Sequence, residues 1–133
     1  MIETTFAMIK PDAVRRGNIG NIITMIEQHG FKIVKLEKKQ FDKALAQEFY
    51  GVHKGKPFFD GLVNFITSGP VIALALEREN AIKEWRTLMG ATNPAQAAAG
   101  TIRQKYAQSI DENAVHGSDA PETAAQELAL VFG

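Results

Sequence analysis

The spacing of hydrophobic residues along the chain predicts an alternation of strands and helices. Apolar runs of strand length predict four strands, at residues 4–10, 31–40, 71–76 and 114–116. Apolar residues three and four positions apart predict helices with inner faces formed by Ile19, Ile22, Ile23 and Ile26; by Phe58, Phe59, Leu62, Val63 and Ile66; by Ile82, Trp85, Leu88 and Met89; and by Ala125, Leu128, Ala129 and Phe132. A shorter helix is predicted from Asp42 to Tyr50.

Glycine, proline and capping residues predict where these elements end. Gly30 is suited to a left-handed helix cap, and Gly90 is suited to end the helix before it. The predicted starts of helices are N-cap side chains at Asp42 and Asn80, first-turn prolines at Pro57 and Pro121, and a capping box from Asp119 to Glu122. Residues 91–113 show little regular pattern, so we expect a long loop there, either functional or mobile.

The order of these elements predicts an α+β fold. It contains the split βαβ repeat, so we expect a ferredoxin-like βαββαβ sandwich in which helices cover a four-stranded antiparallel sheet. The long loop precedes the last strand, and a C-terminal helix follows it. The chain has 133 residues without a repeat or linker, which predicts a single domain over residues 1–133.

Composition and charge narrow the function classes. Hydrophobic residues make up 45% and charged residues 23%, which excludes a disordered chain. Lys and Arg total 15 and balance 15 Asp and Glu, which argues against a surface that binds nucleic acid or anionic lipid throughout, although a local basic pocket stays open. The chain has no cysteine, which excludes thiol chemistry, and no apolar stretch approaches membrane-spanning length. Without a signal-peptide pattern at its start, we expect a cytoplasmic protein.

Familiar phosphate and metal patterns are excluded. Gly51 and Gly55-Lys56 lack the spacing of a Walker loop and the Ser or Thr that would follow its lysine. Gly17 and Gly20 do not form a dinucleotide fingerprint either. No cluster of carboxylates or histidines has the spacing of metal ligands.

Three histidines remain as candidates for chemistry. His29 is interpreted as a helix-capping residue and His53 as an ordinary residue of a charged loop. His116 differs because it follows an apolar strand, with the small Gly117 and the polar residues 118–119 after it. From the residues alone, a catalytic role for His116 and an ordinary structural role are equally open.

Several blocks of the sequence together resemble the nucleoside diphosphate kinase family. They occur in family order and at family-like intervals, at Lys10-Pro11-Asp12, Phe58-Phe59, Ser68-Gly69-Pro70 and the segments 88–94, 100–103 and 113–120. The resemblance covers nearly the whole chain. It implies an enzyme that transfers the γ-phosphate of a nucleoside triphosphate to a nucleoside diphosphate, by a ping-pong mechanism through a phosphohistidine and with broad base tolerance.

The resemblance also implies roles for individual residues. The catalytic set would be His116 as nucleophile, Glu127 orienting its ring, Ser118 supporting the histidine region, and Lys10. The nucleotide-binding set would be Tyr50, Arg86, Thr92 and Arg103 near the phosphates, Lys10 and Asn113 at the sugar and nearby phosphate, and Phe58, Leu62 and Ile110 at the base. Stacking on an aromatic side chain accepts any base, which accounts for the implied tolerance.

The resemblance implies Mg²⁺ as the cofactor, carried mainly by the nucleotide phosphates without metal ligands from the protein. ATP, GTP, GDP and other nucleotides would be the partners, and no nucleic acid or membrane is expected. We also expect a homo-oligomer. A tetramer and a hexamer are both open, and so is a dimer, because many members continue beyond the position of Gly133.

The chain departs from the family pattern at a few positions. Lys105 stands where an acidic residue is common, which puts the local pairing of that loop in question. Lys56 stands where Arg is common, and Arg78 replaces a frequent glycine. A non-catalytic nucleotide-binding module on the same fold is the alternative to an enzyme, since a fold does not determine function. The complete set of site residues favours the enzyme. Nucleic-acid binding is disfavoured, because the sequence lacks an aromatic and basic strand motif.

Overall fold

The chain, described over residues 2–133 by a computed structural model, forms an antiparallel sheet with helices on both faces. The strands are β1 Ile2–Ile9, β2 Lys32–Lys39, β3 Val71–Glu79 and β4 Val115–Gly117. The helices are α1 Pro11–Arg15, α2 Ile19–Gln28, α3 Lys43–Phe49, α4 Phe59–Ile66, α5 Ala81–Met89, α6 Ile102–Tyr106 and α7 Pro121–Phe132. Met1, which the single-domain prediction includes, lies outside the described residues.

The strand order in the described sheet is β2-β3-β1-β4, with every neighbouring pair antiparallel. This order is that of the predicted ferredoxin-like α+β sandwich, which is confirmed. The two central strands, β1 and β3, are paired along their whole length from Ile2↔Glu79 to Ile9↔Ile72. Strand β4 is short and lies at one edge of the sheet, against the buried end of β1.

Alternation of side chains along β1 divides the core into two layers. Ala7 and Ile9 face a cluster that includes Ile22 of α2 and Trp85 of α5. Phe6 and Met8 face the opposite cluster, formed with α3, α4 and α7. Both faces of the central strands are therefore buried, which accounts for their nearly continuous apolar sequences.

Strand β2 forms the other edge of the sheet and is largely exposed. It was predicted to have one solvent-facing side, but Val34 and Leu36 are 45% and 44% exposed, and a bulge lies between Ile33 and Lys35. Phe31, which was predicted to begin this strand, is buried just before it. This edge is a surface that the fold itself leaves partly uncovered.

The helix ends agree with the predictions in part. Asp42 caps α3 by accepting a hydrogen bond from the Leu45 N–H at 2.7 Å, and Gly30 has the expected positive φ of 81°. Asn80 precedes α5 but has a left-handed φ of 54°, and its side chain caps nothing. Instead Glu3 of β1 accepts from the Ile82 N–H at 2.8 Å, a non-local cap that the local sequence does not indicate.

The inner face of helix α7 agrees with the prediction only in part. Leu128 and Phe132 pack against the core as predicted, while Ala125 and Ala129, which were also predicted to face inward, are exposed. The buried residues are Ala124, Glu127 and Val131. The helix is rotated relative to the prediction so that a carboxylate faces the protein interior. Its N-cap is Ala120, without a side-chain bond, so the capping box predicted to begin at Asp119 does not form.

Two shorter segments also differ from the predictions. Helix α1 was not predicted, and Pro57 precedes α4 by two residues rather than lying in its first turn. The predicted loop at residues 91–113 contains a 3₁₀ turn at Pro94–Gln96 and helix α6, whose N-cap Thr101 accepts from the Gln104 N–H at 3.3 Å.

No helix within residues 2–133 is both long enough and apolar enough to cross a bilayer.

Candidate active site

His116 lies in the middle of β4, opposite Met8 of β1. Its carbonyl oxygen accepts a hydrogen bond from Trp85 Nε1 at 3.2 Å, which ties the edge strand to α5. The next residue must be glycine, because a Cβ at Gly117 would overlap the indole ring of Trp85. The backbone of the candidate nucleophile is thus fixed from the face of the sheet that α2 and α5 cover.

The imidazole ring points to the opposite face of the sheet, where a carboxylate selects its tautomer. The ring packs against Phe49 at a centroid distance of 5.1 Å, and its Nε2 lies 3.2 Å from both carboxylate oxygens of Glu127. A carboxylate can only accept, so Nε2 carries the proton. In the neutral ring, Nδ1 then has a free lone pair.

Glu127 is itself held in place. It is largely buried on α7, and its Oε1 accepts a hydrogen bond from Ser118 Oγ at 2.6 Å. Ser118 is fully buried at the end of β4. The nearby hydroxyl of Tyr50 stays protonated, because burial and the negative charge of Glu127 raise its pKa. The three predicted residues His116, Glu127 and Ser118 therefore form one connected group.

Lys10 and Asn113 form a second connected pair. Lys10 Nζ donates to Asn113 Oδ1 at 2.8 Å, and the lysine is only 8% exposed. Burial lowers the pKa of Lys10 to about 8; Asp12 and Asp111 oppose this change, and Arg103 adds to it. The site therefore contains a poorly hydrated cation beside a neutral amide.

Two adjoining cavities bring most of the predicted site residues together. A cavity of about 250 Å³, the His116 cavity, contains Tyr50, His116 and Glu127 in its wall. A cavity of about 630 Å³, the Phe58 cavity, is lined by the predicted residues Lys10, Phe58, Leu62, Thr92, Ile110 and Asn113. The second volume lies in the range of small-molecule sites.

His53, which was predicted to be an ordinary loop residue, lies at the junction of the two cavities. It lines both cavities, and its ring lies 5.2 Å from Phe58 and 6.5 Å from Tyr50 between centroids. Its Nδ1 is buried without a hydrogen-bond partner among the described residues. The sequence feature that could have indicated this location is the position of His53 between two candidate residues, three after Tyr50 and five before Phe58.

The two predicted arginines are placed differently. Arg103 is buried behind the cavities and donates to the carbonyls of Gly90, Asn113 and Val115 at 3.0, 3.3 and 2.9 Å. Burial, together with the charge of Arg86, lowers the pKa of Arg103 to about 10, so the guanidinium remains charged near neutral pH.

Arg86 lies outside both cavities. Its side chain is 54% exposed and pairs with Asp119, a residue of the wall of the His116 cavity. Arg86 and Asp119 also line a larger groove of about 730 Å³ over α5, which contains none of the other predicted site residues. The candidate active site is therefore assigned from the positions of the predicted residues and not from the size of the cavity.

Fold and site together define a class, a ferredoxin-like domain with a histidine nucleophile candidate beside a nucleotide-sized cavity. A sequence model described as nucleoside diphosphate kinase matches residues 3–133. A nucleoside diphosphate kinase from Trichlorobacter lovleyi is 57% identical over 131 residues, covering 98% of this chain and 95% of the relative. The chain therefore belongs to the nucleoside diphosphate kinase family and is an enzyme of that class.

Solved structures agree with this placement. The nucleoside diphosphate kinase of Aquifex aeolicus superposes with a TM-score of 0.98 at 40% identity, covering 100% of this chain and 96% of the other. A halophilic nucleoside diphosphate kinase from Halobacterium salinarum, solved in complex with CDP, superposes with a TM-score of 0.95 at 48% identity, covering 99% and 88%. The family resemblance predicted from the sequence is confirmed, and with it phosphate transfer between nucleotides.

Proposed function

We propose that this enzyme moves the γ-phosphate of a nucleoside triphosphate to a nucleoside diphosphate in two half-reactions, with His116 carrying the phosphoryl group between them. The observation that carries the proposal is the contact of 3.2 Å between His116 Nε2 and the Glu127 carboxylate, which leaves Nδ1 free to attack. The ring lies in the wall of a cavity, so a phosphate can approach it.

Each half-reaction makes one bond to phosphorus and breaks one. In the first, the Nδ1 lone pair of His116 attacks the γ-phosphorus, and the bond to the β–γ bridging oxygen breaks. Its electron pair leaves with the nucleoside diphosphate, and the phosphorylated ring, still protonated at Nε2, gains a positive charge. Glu127 stabilises that charge. In the second, a terminal oxygen of another nucleoside diphosphate attacks the same phosphorus, and the bond to nitrogen breaks.

Arg86, Arg103 and Thr92 are proposed to bind the phosphates. Three of the five N–H groups of Arg103 are used by backbone carbonyls, so the guanidinium is held firmly and two donors remain. Arg86 pairs with the exposed Asp119, and exchanging such a weak pair for a phosphate costs little.

Mg²⁺ is proposed to arrive as part of the magnesium–nucleotide substrate. Among residues 2–133, no three His, Cys, Asp or Glu side chains come together in a way that could hold a metal ion. When bound to the phosphates, the ion neutralises charge on their oxygens. The protein's own cations, Lys10 and the two arginines, supply the rest of the positive field.

The Phe58 cavity is proposed to hold the nucleoside. Phe58 is 49% exposed, which leaves a ring face available for stacking, and Leu62 and Ile110 supply further apolar contacts. Lys10 and Asn113 offer polar groups at the same wall for the sugar hydroxyls and nearby phosphate. An aromatic face makes no demand on the base edges, so broad base tolerance follows.

We propose that the chain works as a homo-oligomer. Val34 and Leu36 are exposed on the edge strand β2, where main-chain groups and apolar side chains can meet a second copy. Strand β4, which carries His116, lies at the opposite edge of the described sheet, so this contact would leave the site open.

The decisive experiment follows a radioactive γ-phosphate. Incubation with γ-labelled ATP and Mg²⁺ should label the protein; the label should be lost in acid, survive alkali, and pass to added GDP, CDP or UDP at similar rates. His116→Ala should abolish labelling, and His29→Ala, which changes a histidine outside both cavities, should not.

The same experiment separates the enzyme from a non-catalytic nucleotide-binding module, which would bind ATP without acquiring label. Persistent labelling of the His116→Ala protein would contradict the nucleophile. Transfer to GDP alone would contradict base tolerance.

A further inference from the structure

Asp12 is a buried carboxylate to which the reaction above gives no part. It lies in the first turn of α1 and is 1% exposed. One oxygen, Oδ2, accepts a hydrogen bond from the Ala114 N–H at 3.0 Å, and the other, Oδ1, is buried without a partner among residues 2–133. Burying a carboxylate with an unpaired oxygen is unfavourable, so a compensating contribution is expected.

The partner of Asp12 has an unusual backbone conformation. Ala114 has a φ of 73°, and the Val115 N–H donates to the Asn113 carbonyl at 2.8 Å, which closes a three-residue turn around Ala114. Such a turn is strained for any residue except glycine, and it persists only where its surroundings hold it. The strain lies two residues before His116.

Segment 10–12 holds both polar groups of Ala114. The Lys10 N–H donates to the Ala114 carbonyl at 2.8 Å, while Asp12 accepts from the Ala114 N–H. A second link supports the same contact, because Arg16 lies 3.5 Å from Asp12 Oδ2 and 2.9 Å from Glu112 Oε1. The region around α1 is therefore fastened to the chain that leads into β4.

The turn separates the two functional parts of the site. On one side Asn113 holds Lys10 Nζ at 2.8 Å in the wall of the Phe58 cavity. On the other side His116 faces Glu127. An extended backbone at Ala114 would move Asn113 relative to His116, and with it the nucleoside relative to the nucleophile.

We propose that Asp12 is a positioning residue, which holds Ala114 in its left-handed turn and thereby sets the distance between the nucleoside-binding pair and His116. The proposal rests on the proposed function, in which His116 attacks a nucleotide held by Lys10 and Asn113. Asp12 itself touches neither substrate nor reacting atoms.

The test asks whether a glycine can replace the restraint. Single-turnover phosphorylation of the protein by MgATP is measured for the wild type, Asp12→Ala, Ala114→Gly and the double variant. Asp12→Ala should slow phosphorylation by about 10- to 100-fold, because small misplacements of reacting groups have effects of that size. Glycine adopts positive φ without strain, so the double variant should recover at least about half of that loss on a logarithmic scale.

A conservative variant guards against misfolding. The amide oxygen of Asp12→Asn can still accept from the Ala114 N–H, so its maximal rate should stay within about fivefold of the wild type. The lost charge should instead raise the half-saturating nucleotide concentration at alkaline pH, since Asp12 and Asp111 favour the charged form of Lys10, whereas burial and Arg103 oppose it.

Asp42→Ala is the matched control. It removes a carboxylate-to-backbone hydrogen bond of the same kind, at 2.7 Å, in the cap of α3. It should lower the melting temperature without slowing phosphorylation. An unchanged rate in Asp12→Ala, or a loss that Ala114→Gly does not recover, would overturn the positioning role. A wild-type protein that acquires no label would instead refute the proposed function itself.

Discussion

Lys10 is a cation that little water reaches, at the start of α1 and in the wall of the Phe58 cavity. Burial lowers its pKa to about 8, and Arg103 adds to this effect, although Asp12 and Asp111 oppose it. Below pH 8 the free enzyme therefore keeps an ammonium group in the wall of the cavity where the nucleotide is proposed to bind. Above pH 8 the group loses its proton, and with it the attraction for phosphate that the proposal requires.

This titration predicts a rise in KM with pH. One pH unit above the midpoint, about a tenth of Lys10 stays protonated, so the KM for nucleotide should rise by up to about tenfold between pH 7.5 and 9. Lys10→Arg keeps its charge throughout this range and should show a flatter profile, whatever its absolute KM. Steady-state kinetics across the range tests this, and a flat wild-type profile would contradict the assignment.

Individual residues show why only part of the site could be predicted from the sequence. Lys10 could be identified without the family pattern, because it is a charged residue between a buried strand and a proline. Glu127 could not, since it has the sequence setting of a solvated helix residue, and only the family pattern indicated it. Its partners are His116 and Ser118, which lie eleven and nine residues earlier, outside its own helix. Such contacts cannot be inferred from local spacing.

Among the elements, the strands and long helices followed directly from hydrophobic periodicity. The short ones did not. Helix α1 has five residues, too few for a periodic pattern, and its position is set by tertiary contacts to residues near His116. The inner face of α7 was predicted only in part, because hydrophobic periodicity treats a carboxylate as polar and so places Glu127 on the outside. Both differences lie where polar groups are buried inside the protein.

Arg78 links two elements in a way that the family pattern would not have suggested. Its guanidinium donates to the His29 carbonyl at the end of α2 and lies 5.3 Å over the ring of Phe31. A cation at a helix C-terminus and a guanidinium on an aromatic face are both stabilising. The arginine that replaces a frequent glycine is therefore a connection between β3 and the end of α2.

Removing this connection should affect stability rather than catalysis. Arg78→Gly should lower the free energy of unfolding by about 1–2 kcal/mol, because both contacts are lost and glycine weakens a strand. The free energy of unfolding of Arg78→Lys should lie between those of the wild type and the glycine variant, since lysine keeps the charge but cannot stack a planar group on the ring. Denaturant unfolding measures the effect, with kcat as the check on the site. If the glycine variant has the same free energy of unfolding as the wild type, the two contacts of Arg78 do not contribute to stability.

At the scale of the whole molecule, the candidate active site and the exposed apolar side chains lie at opposite edges of the sheet. Strand β4 presents His116 to the cavities, and β2 leaves Val34 and Leu36 uncovered. Two central strands, with both faces buried, lie between them. A change at β2 can therefore alter association without entering the site, which makes the proposed homo-oligomer open to a test independent of catalysis.

We expect the wild-type chain to have a native mass that is a multiple of 14.6 kDa at micromolar concentration, and Leu36→Glu to move it to a smaller species. A carboxylate on an edge strand opposes pairing with a second copy, and Leu36 is exposed enough for the fold to accept it. Leu36→Met, which stays apolar, should keep the wild-type mass. Native mass spectrometry decides the outcome, and γ-phosphate labelling of Leu36→Glu should stay within about twofold of the wild type. Identical masses for Leu36→Glu and the wild type would exclude β2 as the contact, because a charge at a buried apolar interface is too costly to be accommodated unchanged.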